Sequence, residues 1–77
     1  MNSVNKHLGI VISRRRQEIN LSQEELADRA NIHRTYVSQI ERGLKSPTLI
    51  ILINVAKALN TKASVILREL ENEVDGI

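Results

Sequence analysis

The chain has 77 residues, of which 42% are hydrophobic, with one Tyr, no Phe, no Trp and no Cys. This length predicts one small domain with an aliphatic core, and the absence of Cys excludes disulfides and thiolate metal sites. The formal net charge is only +2, but residues 1–45 hold eight Lys or Arg against five acids. The positive charge therefore lies in the first part of the chain.

The first predicted element is a helix over residues 4–18, where apolar residues recur at helical spacing. Arg15 falls on this apolar stripe, where its aliphatic stem can lie on the core while the guanidinium reaches solvent or phosphate. The run Arg14, Arg15 and Arg16 is the densest basic cluster of the chain. Two interpretations of this cluster stay open: a solvated end of the first helix, or a direct contact with phosphate.

Two short helices joined by a tight bend are predicted next. Ser22 is placed to cap the first of them, and Glu25, three positions later, completes a capping box. That helix should end near residue 30, with Asn31 in a left-handed conformation at the bend. The second short helix begins at His33 or Arg34.

This third helix of the chain has an inward stripe of only Val37 and Ile40. Its opposite side carries hydrogen-bonding residues: Arg34, Thr35, Ser38 and Gln39, with Tyr36 and Arg42 at the edges. Arg can pair with guanine, Gln with adenine, and Thr with thymine. The pattern therefore predicts a recognition helix that reads base edges in the major groove of DNA, with His33 at its start and close to a phosphate.

A loop and a fourth helix follow. Gly43 is suited to end the third helix, and Pro47 prevents its continuation. Thr48 should cap a helix over residues 49–59. Its predicted inward residues are Leu49, Leu52, Val55, Ala56 and Leu59, and its remaining apolar residues are Ile50, Ile51 and Ile53.

A fifth helix is predicted to follow a cap at Thr61 or Ser64 and to run to about residue 74, with residues 75–77 frayed. The fourth and fifth helices carry more apolar residues than a small core needs, which favours a symmetric dimer over a monomer with a few exposed aliphatics. The predicted dimer interface consists of Ile50, Ile53, Ile66, Leu67, Leu70 and Val74.

Residues 5–67 resemble the Cro and phage-repressor (Xre-type) helix-turn-helix family, and the runs 34–38 and 40–42 are most similar to restriction-modification controller proteins. The resemblance implies that Arg34, Thr35 and Gln39 approach base edges. It also implies that Arg16 and Glu41 form a structural ion pair. The residues that it places on the DNA backbone are Gln23, Tyr36, Ser38, Arg42, Lys45 and Ser46.

We therefore expect an all-α, lambda-repressor-like bundle of about five short helices, forming one DNA-binding domain over residues 1–77 whose last helix, about residues 62–74, contributes to dimerisation. The expected function is sequence-specific regulation of transcription by a homodimer that binds a pseudo-palindromic operator and blocks or assists RNA polymerase. The most specific hypothesis is a controller protein of a restriction-modification system, and the second is an immunity-type repressor of a phage or transposon.

Other classes fit the sequence less well. His7 and His33 have no partners at metal-ligand or catalytic spacing, and no phosphate loop occurs, so we expect no enzyme, metal, cofactor or small-molecule ligand. An antitoxin or adaptor with the same fold remains the alternative. RNA single strands favour several exposed aromatics, and this chain has one. Without an apolar run long enough for a membrane span or a signal peptide, a cytoplasmic location is expected.

Overall fold

The structure is a computed structural model that describes residues 3–74, so the prediction for residues 75–77 lies outside the described residues. Five α-helices follow one another, and no strand occurs in this part of the chain. They are α1 (Ser3–Glu18), α2 (Gln23–Ala30), α3 (Arg34–Glu41), α4 (Leu49–Ala58) and α5 (Ala63–Glu73). The predicted all-α class and the order of the five helices are confirmed.

Local signals in the sequence fix most of the helix ends. Thr48 Oγ1 accepts a hydrogen bond from the backbone N–H of Ile51 and so caps α4. Gly43 has a φ of 75°, a conformation that ends α3 at little steric cost. The predicted cap of α5 at Thr61 or Ser64 is wrong, because Lys62 is the N-cap residue and makes no side-chain capping bond.

The core is aliphatic and receives residues from all five helices. α2 packs on α3 and α4, while α5 packs on α1 and α4. The fully buried large side chains are Val11, Ile12, Leu26, Val37, Ile40, Val55 and Ile66. The prediction that Leu49 faces inward is wrong: Leu49 is 68% and Ile50 72% exposed, because the first turn of α4 packs on the core through Ile51 and Leu52 instead.

Gly9 lets α1 approach the end of α3 closely. A Cβ atom at Gly9 would lie 2.5 Å from the carbonyl oxygen of Ile40 and 2.4 Å from that of Glu41. These backbone atoms cannot move aside without moving the helix, so a side chain at position 9 is incompatible with this packing. Gly9 was not singled out from the sequence, although an isolated Gly costs helix stability relative to Ala and so calls for a packing reason.

Candidate nucleic-acid interface

Helices α2 and α3 form the predicted helix-turn-helix, and two local features define the start of α2 and the turn that follows it. Ser22 Oγ accepts from the backbone N–H of Glu25 at 3.0 Å, while the Ser22 N–H donates to Glu25 Oε1 at 2.9 Å. Asn31 adopts the left-handed conformation, with φ 58° and ψ 45°. The capping box and the bend predicted from the sequence are therefore confirmed: the first starts α2, and the second sets the direction in which the chain leaves α2 toward α3.

Helix α3 is anchored by its apolar stripe and open on its polar side. Val37 and Ile40 are 2% and 1% exposed, as predicted. Arg34 and Thr35 are exposed on the outer side, whereas Ser38 and Gln39 are half-buried. α3 is a regular α-helix of eight residues, and the diameter of such a helix with its side chains, about 10–12 Å, suits insertion into a major groove about 12 Å wide.

The remaining predicted contact residues surround this helix at both ends. His33 is the N-cap residue of α3, is exposed, and makes no side-chain capping bond. Tyr36 is half-buried and packs against the core, which leaves only part of its ring available to a ligand. Arg42, Lys45 and Ser46 are exposed after the end of α3.

Arg16, Gln23 and Glu41 join the ends of three helices in one hydrogen-bonded network. The Glu41 carboxylate accepts from Arg16 Nε at 2.7 Å, from Arg16 Nη2 at 3.0 Å and from Gln23 Nε2 at 3.0 Å. Arg16 Nη1 also donates to the Leu21 carbonyl at 2.7 Å. The hydrogen bonds to Glu41 raise the pKa of Arg16 above its ordinary value.

This network also bears on Gln23, which was expected to touch a phosphate. One N–H of its side-chain amide is directed at Glu41, and the second N–H of the same nitrogen is left for another acceptor. The hydrogen bond between Gln23 and Glu41, which are 18 positions apart, was not predicted from the sequence. No local pattern in the sequence indicates such a contact.

The other two arginines of α1 pair with α5. Arg14 binds Glu73, and Arg15 Nε binds Glu69 Oε1. Together with the pair between Arg16 and Glu41, all three members of the basic cluster have a carboxylate partner. These ion pairs disfavour a direct contact of the cluster with phosphate. The guanidinium of Arg15 was expected to reach solvent or phosphate, and it binds a carboxylate on α5 instead.

Arg34, Arg42 and Lys45 differ from that cluster. All three are exposed, and none forms an ion pair within residues 3–74. They lie at the start of α3, at its end and in the loop that follows. Unpaired cations around one polar helix provide a positive surface suited to a polyanion.

A second surface feature is apolar and lies on α4 and α5. Leu49, Ile50, Ile53 and Leu67 are 68%, 72%, 39% and 38% exposed. Ile66 and Leu70 were predicted to lie in the dimer interface, but they are 0% and 4% exposed in the chain itself. They are core residues, because the side of α5 that carries them packs on α1 and α4. Val74 is half-buried against the same core.

Other kinds of site are weakly represented in the described part of the chain. Residues 3–74 contain no group of three or more His, Cys, Asp or Glu that could hold a metal ion. An open groove of about 530 Å³ is lined by Ile10, Ser13, Arg14, Gln17, Glu18 and Glu41. No single helix among these residues is long and apolar enough to cross a membrane, and α4 and α5 reach that length only together, across a bend of 101°.

Comparison with known proteins gives consistent matches. A protein-family profile described as Helix-turn-helix matches residues 12–66. The control protein C.SmaI of Serratia marcescens is 48% identical over 56 residues, which are 70% of this chain and 67% of that protein. An HTH-type transcriptional regulator of Mycobacterium tuberculosis is 38% identical over 58 residues, and the chain spans only 41% of its length.

A solved structure extends the similarity over nearly the whole fold. The restriction-modification controller protein C.AhdI from Aeromonas hydrophila is 30% identical and superimposes with a TM-score of 0.80. The match covers 90% of this chain and 98% of the other.

Proposed function

This chain belongs to the helix-turn-helix family, and from that premise we propose that it regulates transcription by reading a DNA sequence with α3. The family consists of DNA-binding transcription regulators and not of enzymes. The observation that carries the proposal is the exposure of Arg34 and Thr35 on a helix whose opposite stripe, Val37 and Ile40, is buried. This arrangement offers side chains with base-reading chemistry from a rigid support.

We assign each residue a role in DNA binding from the position of its side chain. Arg34, Thr35 and Gln39 read base edges, and the residues proposed to contact the DNA backbone are Gln23, His33, Tyr36, Ser38, Arg42, Lys45 and Ser46. Arg16 and Glu41 hold the recognition helix and do not contact DNA. Backbone contacts set the position of the protein on the duplex, whereas base contacts set its sequence preference.

We further propose that the chain acts as a homodimer on a pseudo-palindromic operator. The exposed Leu49, Ile50, Ile53 and Leu67 supply an apolar surface that a second copy can cover. A two-fold pair places its recognition helices about 34 Å apart, one turn of duplex DNA. The similarity to C.SmaI and C.AhdI supports the more specific proposal that this chain is a controller protein of a restriction-modification system. In that role it would act on RNA polymerase from an operator near the promoter.

A direct test is a fluorescence-anisotropy titration of labelled duplex DNA of random sequence, with single-stranded DNA of the same composition as competitor. The proposal predicts binding to duplex that weakens steeply as salt rises, because the exposed cations displace counterions from phosphates. Stronger competition by the single strand, or no binding of duplex at low salt, would contradict it.

A further inference from the structure

The first turns of α1 lie against the turn that follows the recognition helix. A Cβ atom at Gly43 would be 2.9 Å from Cα and 3.4 Å from Cβ of Lys6, so the side chain of Lys6 leaves its helix beside this turn. Arg42 precedes Gly43 and Lys45 follows it closely. Three basic residues from two separate segments are thereby brought to one place on the surface.

Among the residues that the structure describes, Lys6 is also the basic residue of α1 without a carboxylate partner. Arg14, Arg15 and Arg16 are paired with Glu73, Glu69 and Glu41, respectively. Lys6 is exposed and forms no ion pair within residues 3–74, and the first turn of α1 contains no acid. The positive charge that α1 offers to a ligand is therefore at its start and not at its arginine cluster.

From this geometry we propose that Lys6 contacts a DNA phosphate next to those reached by Arg42 and Lys45, an inference that rests on the proposed function. The contact extends the backbone clamp at the end of α3 onto α1. A Lys is suited to this task because its ammonium group, on a flexible stem, pairs with a phosphate without a strict geometry. It adds affinity for any sequence and no base preference.

The experiment compares Lys6→Gln with Lys57→Gln, which removes one exposed positive charge from α4 instead. Binding to labelled random-sequence duplex is titrated at several salt concentrations. Each lost phosphate contact should reduce the slope of log affinity against log salt by about 0.9 and lower the affinity on the order of fivefold near 0.1 M salt, so a bound dimer, which loses two contacts, should show about twice this change in slope. Lys57→Gln should keep the wild-type slope, and Lys6→Arg should restore it.

The outcomes separate this inference from the proposed function. Duplex binding by the wild-type chain with equal slopes for wild type and Lys6→Gln would overturn the role of Lys6 alone. Absence of duplex binding by the wild-type chain would overturn the proposed function and this inference with it. Because Lys6 is exposed, an unchanged melting temperature of Lys6→Gln is expected and confirms that the fold is intact.

Discussion

Arg16 on α1 and Glu41 at the end of α3 form a two-pronged ion pair, with Nε to Oε2 at 2.7 Å and Nη2 to Oε1 at 3.0 Å. Their side chains are only 13% and 6% exposed. The pair joins α1 to the last residue of α3, the helix proposed to lie in the major groove of DNA. Both charges are engaged within the fold, and we therefore expect the pair to fix the orientation of α3.

Replacing Glu41 with Ala should therefore destabilise the fold. The substitution leaves the Arg16 guanidinium poorly solvated and without its carboxylate, which costs about 3 kcal/mol for a largely buried pair. Urea denaturation followed by circular dichroism measures the loss. Glu18→Ala is the matched control, since Glu18 is exposed, and it should change stability by less than about 0.5 kcal/mol. Equal effects of the two substitutions would contradict the structural role of Glu41.

Gly9→Ala should also destabilise the chain, which is opposite to the usual effect. Ala in place of Gly inside a helix commonly stabilises by about 1 kcal/mol. Here the added Cβ meets the carbonyl oxygens of Ile40 and Glu41 within 2.5 Å, so overpacking should cost about 1–3 kcal/mol. The melting temperature gives the sign, and a higher melting temperature would show that α1 and α3 do not approach so closely.

The capping box predicts an acid dependence of stability. Hydrogen bonds from Ser22, chiefly from its backbone N–H, lower the pKa of Glu25 below its ordinary value of 4.5. A carboxylate with a lower pKa in the folded chain stabilises the fold above that ordinary value, and this contribution disappears as the pH falls through the folded pKa. Glu25→Gln should therefore lose less stability than wild type as the pH falls from above 4.5 through the lowered pKa of Glu25.

Glu24→Gln provides the control for Glu25, because Glu24 lies in the same first turn of α2 and is exposed. Thermal unfolding at a series of pH values should give wild-type acid dependence for Glu24→Gln and a shallower one for Glu25→Gln. If the two variants changed the pH dependence of stability equally, the cause would be the negative charge at the start of α2 and not the hydrogen bonds between Ser22 and Glu25.

Self-association should depend on the exposed apolar surface and not on the core of α5. Ile50→Glu places a charge on a residue that is 72% exposed in the chain, so it should leave the fold intact and shift sedimentation from dimer to monomer. Ile10→Glu, at a 44% exposed position of α1, should leave the dimer unchanged. Leu70→Glu should unfold the chain, because Leu70 is only 4% exposed. A dimer that tolerates Ile50→Glu would count against this interface.

The features that could be predicted from the sequence are those with a local cause. Ser22 with Glu25, the left-handed Asn31, and the inward Val37 and Ile40 depend on residues within one or two turns of each other, so spacing alone identifies them. The pair between Arg16 and Glu41 was expected only from the family resemblance.

Features set by contacts between distant elements were not predictable in the same way. Arg14 and Glu73 are 59 positions apart, and nothing in the local pattern of either helix indicates the pair. The rotation of α5 about its own axis depends on α1 and α4, and for that reason Ile66 and Leu70 were assigned to the wrong surface.

If α3 reads bases, substitutions of the exposed Arg34 and Lys45 should affect DNA binding in different ways. Arg34→Ala should cost roughly 1–3 kcal/mol on a preferred site and relax discrimination at one base pair, because a base contact is lost. Lys45→Ala, the matched loss of one exposed charge, should weaken preferred and random duplexes alike and reduce the salt dependence. Equal losses on the two kinds of duplex for Arg34→Ala would place Arg34 on the backbone.

Selection of bound sites from a large pool of random duplexes tests the central claim most directly. If paired copies of α3 read base edges, the wild-type chain should enrich a pseudo-palindrome whose half-sites are about one helical turn apart, and Arg34→Ala should enrich the same spacing with one position degenerate in each half-site. Recovery of duplexes without any shared sequence, although the protein binds them, would contradict recognition by the outer face of α3.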